Sequence, residues 1–231
     1  MLHEPSRSPR ERRHDENLRR ITAAAMRMVE EGGLEALSVN KLAALVDYTP
    51  GALYRYFGSK DALLAALVLQ VLGDVRAHVD RAMAALGAKA TPLARVMAIV
   101  RGYGEFARAT PHRFGLLAMT MADPRVLLNE PTAAGPVAIA AIAAMQSLAD
   151  ALADAATAGQ LSPGPAAERT VAVFALLQGV LQLHKQARFA PDVLNTTHLT
   201  VFGVRALLVG WGATPRAVDA AVARAIPKGA A

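Results

Sequence analysis

Four times along the chain a threonine stands directly before a proline, at 49–50, 91–92, 110–111 and 214–215. A threonine side chain accepts the free N–H groups of a helix's first turn, and proline suits the first helical position, where its missing N–H has no partner to lose. Each pair predicts a helix start. Between them apolar residues recur every three or four positions, no stretch alternates like a strand, and there is no internal repeat. The chain is expected to be all-α.

The stretch around the first pair carries most of the functional signal. Ser38 is a good N-cap, and Val39, Leu42, Ala43 and Val46 keep helical spacing, which predicts a helix from Val39 to Val46. Asp47 and Tyr48 interrupt it. Thr49 and Pro50 open a second helix with a small-residue nose, Gly51 and Ala52. Leu53 and Phe57 anchor its inner face, Gly58 ends it and Ser59 caps the next helix. This is the pattern of a helix-turn-helix.

The other elements follow from the same signals. Residues 1 to about 10 read as disordered. A helix runs from about Glu11 to Glu31 on Leu18, Ile21, Ala25 and Met28, and Gly32-Gly33 stops it. From Ser59 a long helix continues through Leu63, Leu64, Leu67, Val71 and Val75 to about Leu86. Further helices are predicted at about 92–109, from 111 through Met121, and at about 132–158, with a short segment opening at Asp123-Pro124. Two more at about 166–188 and 197–211 precede a short one from Thr214-Pro215 that stops before Pro227. The helix at 166–188 is apolar around nearly its whole circumference, and so is its successor. Either they form a deep core, or they pair with their copies across a two-fold axis through Phe174, Leu177, Leu181, Phe202, Leu208 and Trp211. Because a groove-reading helix-turn-helix works as a symmetric pair, the homodimer is the preferred reading.

Composition excludes several classes. With 231 residues, 53% of them hydrophobic, the chain can bury a substantial core. Without cysteine it has no disulfide framework, zinc finger or thiol chemistry, and a reducing cytoplasm is the simplest location. The polar, Arg-rich amino terminus has no following apolar core and does not read as a secretory signal. The longest uncharged stretch, Pro131 to Ala149, is alanine-dominated with two prolines and polar interruptions, so no membrane partner is expected. The net charge of +6 suits a nucleic acid without locating it. Arg7, Arg10, Arg12 and Arg13 form a basic arm that is either a solvated tail or a contact to a phosphate backbone. Among the six histidines there is no His-Glu-x-x-His or Glu-x-x-His set, and no phosphate-binding glycine loop or Gly-x-Ser-x-Gly elbow occurs. No catalytic, metal or cofactor site is expected.

The run Leu53-Tyr54-Arg55-Tyr56-Phe57-Gly58-Ser59-Lys60, with Gly32, Leu37-Ser38-Val39 and Leu42-Ala43 upstream, closely resembles the TetR/AcrR family of bacterial transcriptional regulators. The resemblance implies a three-helix DNA-binding domain at about 14–74 and a helical effector-binding and dimerisation domain at about 75–225. It implies a homodimeric repressor of a palindromic operator. In one place the chain departs from the family: Asp47-Tyr48-Thr49 replaces the usual glycine-containing turn, so the left-handed residue is Asp47 or Tyr48.

By family position and chemistry together, Thr49, Tyr54, Tyr56 and Lys60 would meet the DNA backbone, and Ser38 belongs to the same DNA-binding set. Asn40, Lys41, Pro50, Gly51, Ala52 and Arg55 would face base edges, where Asn suits adenine, Lys or Arg suits guanine, and small apolar groups suit a thymine methyl. In the body, Tyr103, Phe106, Phe114, Met119 and Met121 are candidate walls of a pocket for a small hydrophobic effector. Its polar orienters would be Arg101, His112, Gln178, Gln182 and His184. The competing class is a helical ligand-binding or protein-interaction module without operator binding.

Overall fold

The computed structural model describes residues 8–122 and 128–226. The described residues form ten α-helices: α1 (Pro9–Gly32), α2 (Val39–Leu45), α3 (Pro50–Phe57), α4 (Lys60–Ala84), α5 (Pro92–Ala109), α6 (Pro111–Ala122), α7 (Pro131–Thr157), α8 (Ala166–Gln182), α9 (Thr196–Gly210) and α10 (Pro215–Ala225). Short 3₁₀ turns occupy Leu34–Ala36 and Leu183–Arg188. No strand occurs among the described residues.

Three of the four Thr-Pro pairs cap helices as expected. Thr49, Thr91 and Thr214 accept the N–H of Ala52, Ala94 and Ala217 at 3.2, 3.2 and 3.3 Å. Thr110 differs, because its hydroxyl turns back and donates to the Phe106 carbonyl at 2.9 Å, closing α5 while Pro111 opens α6. Two boundaries move. α1 begins at Pro9, since Ser8 accepts the Glu11 N–H at 3.2 Å while the Glu11 carboxylate accepts the Ser8 N–H at 2.7 Å, a reciprocal capping box. Arg10, Arg12 and Arg13 are therefore helical, not part of a tail; Arg7 lies outside the described residues. At the other end, α8 stops at Gln182, and the six residues to Arg188 tighten into a 3₁₀ turn.

The chain divides into two compact units, residues 1–71 with 112–137, and residues 72–111 with 138–231. In the first, Ile21, Ala25 and Val29 of α1 pack into a core with Leu42 of α2, Leu53 of α3, Leu67 and Val68 of α4, and Phe114 and Leu117 of α6. Polar contacts fasten α6 and the start of α7 to this core. Arg113 pairs with Glu30 at 2.6 Å, and the His112 ring bonds the Glu30 carbonyl. Ser59 donates to Glu130 at 2.8 Å, while Asp61 accepts the N–H groups of Asn129 and Glu130 at 2.7 and 3.1 Å. Asp61 thus supplies a carboxylate to the amino-terminal end of α7, where the helix dipole favours negative charge.

In the second unit α5 is the buried axle, with every residue from Leu93 to Val100 except Arg95 buried. α8 and α9 approach closely at Gly203, where a Cβ would lie 2.8 Å from Leu176 Cδ2. By length and composition alone, α4, α7 and the stretch 166–188 are apolar enough to cross a membrane.

Candidate functional site

The helix-turn-helix presents one buried and one exposed face. Leu42 and Ala43 of α2 and Ala52 and Leu53 of α3 point into the core, at most 5% exposed. Asn40, Lys41, Thr49, Pro50, Gly51, Tyr54, Arg55 and Lys60 are exposed. Ser38 caps α2 by accepting the Lys41 N–H at 3.5 Å. A Cβ on Gly51 would meet nothing within 4 Å, so the nose of α3 is open to a groove. Ala52 is corrected: it is a core residue, and its methyl is spent on packing against the helix-turn-helix interior.

Tyr56 is half-buried and engaged within the protein. Its hydroxyl accepts from Asn17 Nδ2 at 3.1 Å and meets the Tyr48 hydroxyl at 3.5 Å, and its ring stacks on His14 with centroids 5.1 Å apart. Tyr56 fastens α3 to α1, whereas its neighbour Tyr54 is free to reach outward. The hydrogen bond to Tyr56 holds the Tyr48 phenol above its ordinary pKa. Arg20 completes the cluster, with its guanidinium 5.4 Å from the Tyr48 ring centroid and Nη2 donating to the Val46 carbonyl at 3.1 Å.

That last bond braces the turn. Asp47 takes φ +59°, the one non-glycine residue with positive φ among those described, so it is the left-handed residue. Sequence reasoning passed over Asn17, Arg20 and Tyr48 as supports of the reader. It also passed over the cleft of about 370 Å³ where Arg10, Arg13 and His14 line up beside Tyr56. The signal was present in Ser8-x-x-Glu11, which marks a helix start and so places those cations on α1.

The effector candidates separate. His112, Phe114 and Met119 belong to the first unit, where His112 and Phe114 are engaged as described above. In the second unit the structure brings together Tyr103, Phe106 and Gln178. The Tyr103 hydroxyl donates to Gln178 Oε1 at 3.0 Å, in a site where Tyr103 is 6% and Phe106 0% exposed. Burial pushes the Tyr103 phenol well above its ordinary pKa. Gln182 and His184 are exposed, and Arg101 lies on the opposite side of α5 from Tyr103. The Met121 side chain lies outside those described.

Of the six dimer candidates, Leu177, Leu181 and Leu208 are corrected. They are at most 3% exposed within their own chain and form its core, so they offer no surface to a partner. Phe174 lies edge-on to Tyr103, and the Arg169 guanidinium sits 5.3 Å over Trp211. Phe202, at 62% exposure, stays on the surface.

Residues 21–67 match the family model described as bacterial regulatory proteins, tetR family, and residues 96–207 match that of the tetracyclin repressor-like C-terminal domain. The chain belongs to the TetR family. It carries the amino-terminal helix-turn-helix domain and the carboxyl-terminal domain of that family. Over 81 residues it is 38% identical to the HTH-type transcriptional regulator BetI of Rhizobium meliloti, covering 35% of this chain and 38% of that relative's length. Several solved structures share the fold. A Rhodococcus protein of unknown function superposes with a TM-score of 0.69 at 23% identity, covering 90% of this chain and 99% of its own. RolR in complex with resorcinol superposes with a TM-score of 0.63 at 16% identity, covering 94% and 96%.

Proposed function

We propose that this TetR-family regulator is a non-enzymatic, cytoplasmic homodimer that represses from a palindromic operator and is released by a small, mostly apolar effector. The observation that carries the reading is the two-faced helix-turn-helix: its apolar half is consumed by the core while Asn40, Lys41, Pro50, Gly51 and Arg55 stand exposed together. Arg55 and Asn40 read base edges, and the open nose at Pro50-Gly51 allows close approach to the groove floor. Lys60, at the amino terminus of α4, and Tyr54 hold phosphates, and Arg10 and Arg13 on the first turns of α1 add to that backbone contact.

The dimer reading keeps Phe202 and moves from the buried leucines to the exposed stripes of the same two helices. On α8, Val171, Ala175 and Gly179 are exposed at a spacing of four; on α9, Phe202, Ala206 and Gly210 repeat it. A Cβ on Gly179 or Gly210 would meet no atom of its own chain within 4 Å. Two smooth apolar stripes on adjacent helices suit a four-helix contact across a two-fold axis.

The effector reading centres on Tyr103 and Gln178. A small ring molecule that competes for this polar pair, as suits a relative of RolR, favours a second arrangement of the body and shifts α4, which both units share, so that the readers no longer fit successive major grooves. Operator binding is tested by gel shift with the DNA upstream of the regulator's own gene. Arg55→Ala should cost about 1–3 kcal/mol on the operator and relax preference at one base position. Lys60→Ala should weaken all sequences alike and reduce the salt slope by about one. Equal loss on operator and random DNA for Arg55→Ala removes its reading role, and no shift at all favours the module that does not bind an operator.

A further inference from the structure

The face of α5 opposite Tyr103 carries a second polar feature. Arg101 and Arg108 lie two turns apart with Gly104 between them, and Thr197 and Thr200 of α9 face them. Val100, Val201 and Ile226 supply apolar walls, and the notch they enclose measures about 20 Å³, room for one oxygen-sized group. At Gly104 a Cβ would stand 3.3 Å from Arg108 Nη1, so the guanidinium lies close against the helix there.

The hydroxyl of Thr200 is anomalous. Thr22, Thr157 and Thr170 donate to the carbonyl four residues back, at 2.8, 3.1 and 2.8 Å. Thr200 does not; it is 5% exposed, and its Oγ1 has no hydrogen-bond partner. Arg101 Nε, also buried, has none either, although Glu105 stands 3.7 Å away. Arg101 Nη2 donates to the Ala82 carbonyl at 3.4 Å, and Arg108 Nη1 to Thr197 Oγ1 at 3.2 Å. Buried donors without acceptors are rare because water has been removed and nothing has replaced it.

We propose that this notch between α5 and α9 is a second ligand site, separate from the Tyr103–Gln178 site, that takes the carboxylate of a short-chain aliphatic acid. One carboxylate oxygen enters the notch and accepts from the Thr200 hydroxyl and Arg101, and Arg108 closes over the other. The two arginines and Glu105 leave a net charge of +1, which matches a monoanion. A phosphate dianion carries one negative charge more than this site balances. The carbon chain stays outside the notch, at its open mouth beside Val100, Val201 and Ile226.

The test is calorimetric titration of the full-length, DNA-free protein with butyrate, with butyramide and inorganic phosphate as comparisons at matched ionic strength. Saturable binding of butyrate alone is expected. Thr200→Val, which keeps shape and removes the hydroxyl, should weaken it about tenfold, as should Arg108→Gln, while Thr200→Ser restores it. Circular dichroism shows that each variant is folded. Absence of saturable heat up to about 10 mM butyrate, equal binding of butyramide, or a Thr200→Val protein that binds unchanged overturns the site and leaves the notch holding a water only. Because no DNA is present, none of these outcomes bears on operator binding.

Discussion

At the residue scale, the helix-turn-helix depends on the side chains that hold its turn. Asp47 takes a left-handed φ of +59° between α2 and α3, where Arg20 holds the Val46 carbonyl at 3.1 Å and the Tyr48 N–H reaches the Ala43 carbonyl at 2.9 Å. Glycine occupies that conformation without a Cβ penalty and aspartate tolerates it, but a β-branched residue does not. Asp47→Gly should leave stability within about 0.5 kcal/mol of the parent in urea unfolding, while Asp47→Val should lose about 1–2 kcal/mol. Equal stability of the two variants would remove the strain from the account. The tyrosines two positions apart part company in the same way. Tyr56→Phe abolishes the bond from Asn17 and should cost about 1 kcal/mol of unfolding free energy. Tyr54→Phe, at a side chain 43% exposed, should leave unfolding unchanged and weaken DNA binding in a gel shift.

At the scale of elements, the sequence was legible wherever a local cap decides the outcome. Ser38, Thr49, Thr91 and Thr214 start helices within one turn of chain, and no distant residue is needed to see it. The start of α1 was equally local, in the Ser8–Glu11 box, but the prolines and charges around it resemble a tail. What spacing alone does not carry is which side of an all-apolar helix faces inward. Leu177 and Val171 are equally apolar, yet one is 3% and the other 58% exposed, because tertiary neighbours choose between them. The α9–α10 pairing shows the same dependence on distant chain. Arg205 Nε lies 2.7 Å from Asp219 Oδ1, and this hydrogen bond holds the Asp219 carboxyl below its ordinary pKa. A carboxylate depressed in the folded state adds stability above its unfolded pKa and loses it as pH falls through the folded value. The melting temperature of Asp219→Asn should therefore lie slightly below that of the parent at neutral pH, with the gap closing as pH drops through and below the ordinary carboxylate range. A gap that stays constant with pH would assign the effect to packing. The pair is exposed, so the gap is small.

At the scale of the whole molecule, the two apolar helices α8 and α9 carry an inner and an outer apolar face that the sequence superimposes. Their inner residues close the second unit: Leu208 is 0% exposed, and Leu208→Ala should cost about 2–5 kcal/mol through the cavity it leaves. Their outer stripes, Val171-Ala175-Gly179 and Phe202-Ala206-Gly210, contribute nothing to that core. Substitution on the stripes should thus separate assembly from folding. Ala206→Glu places a charge in the middle of the α9 stripe, and across a two-fold axis it would meet a nearby copy of itself, so repulsion and desolvation add. Light scattering after size exclusion should report a monomer for Ala206→Glu with its helical circular dichroism retained, and a dimer for the parent. A regulator that reads two half-sites about one helical turn apart needs both heads on one frame, so the same variant should lose operator binding while Asn40, Lys41 and Arg55 remain untouched. A parent that elutes as a monomer at operator-binding concentrations, or an Ala206→Glu protein that remains dimeric, would remove the stripes from the interface.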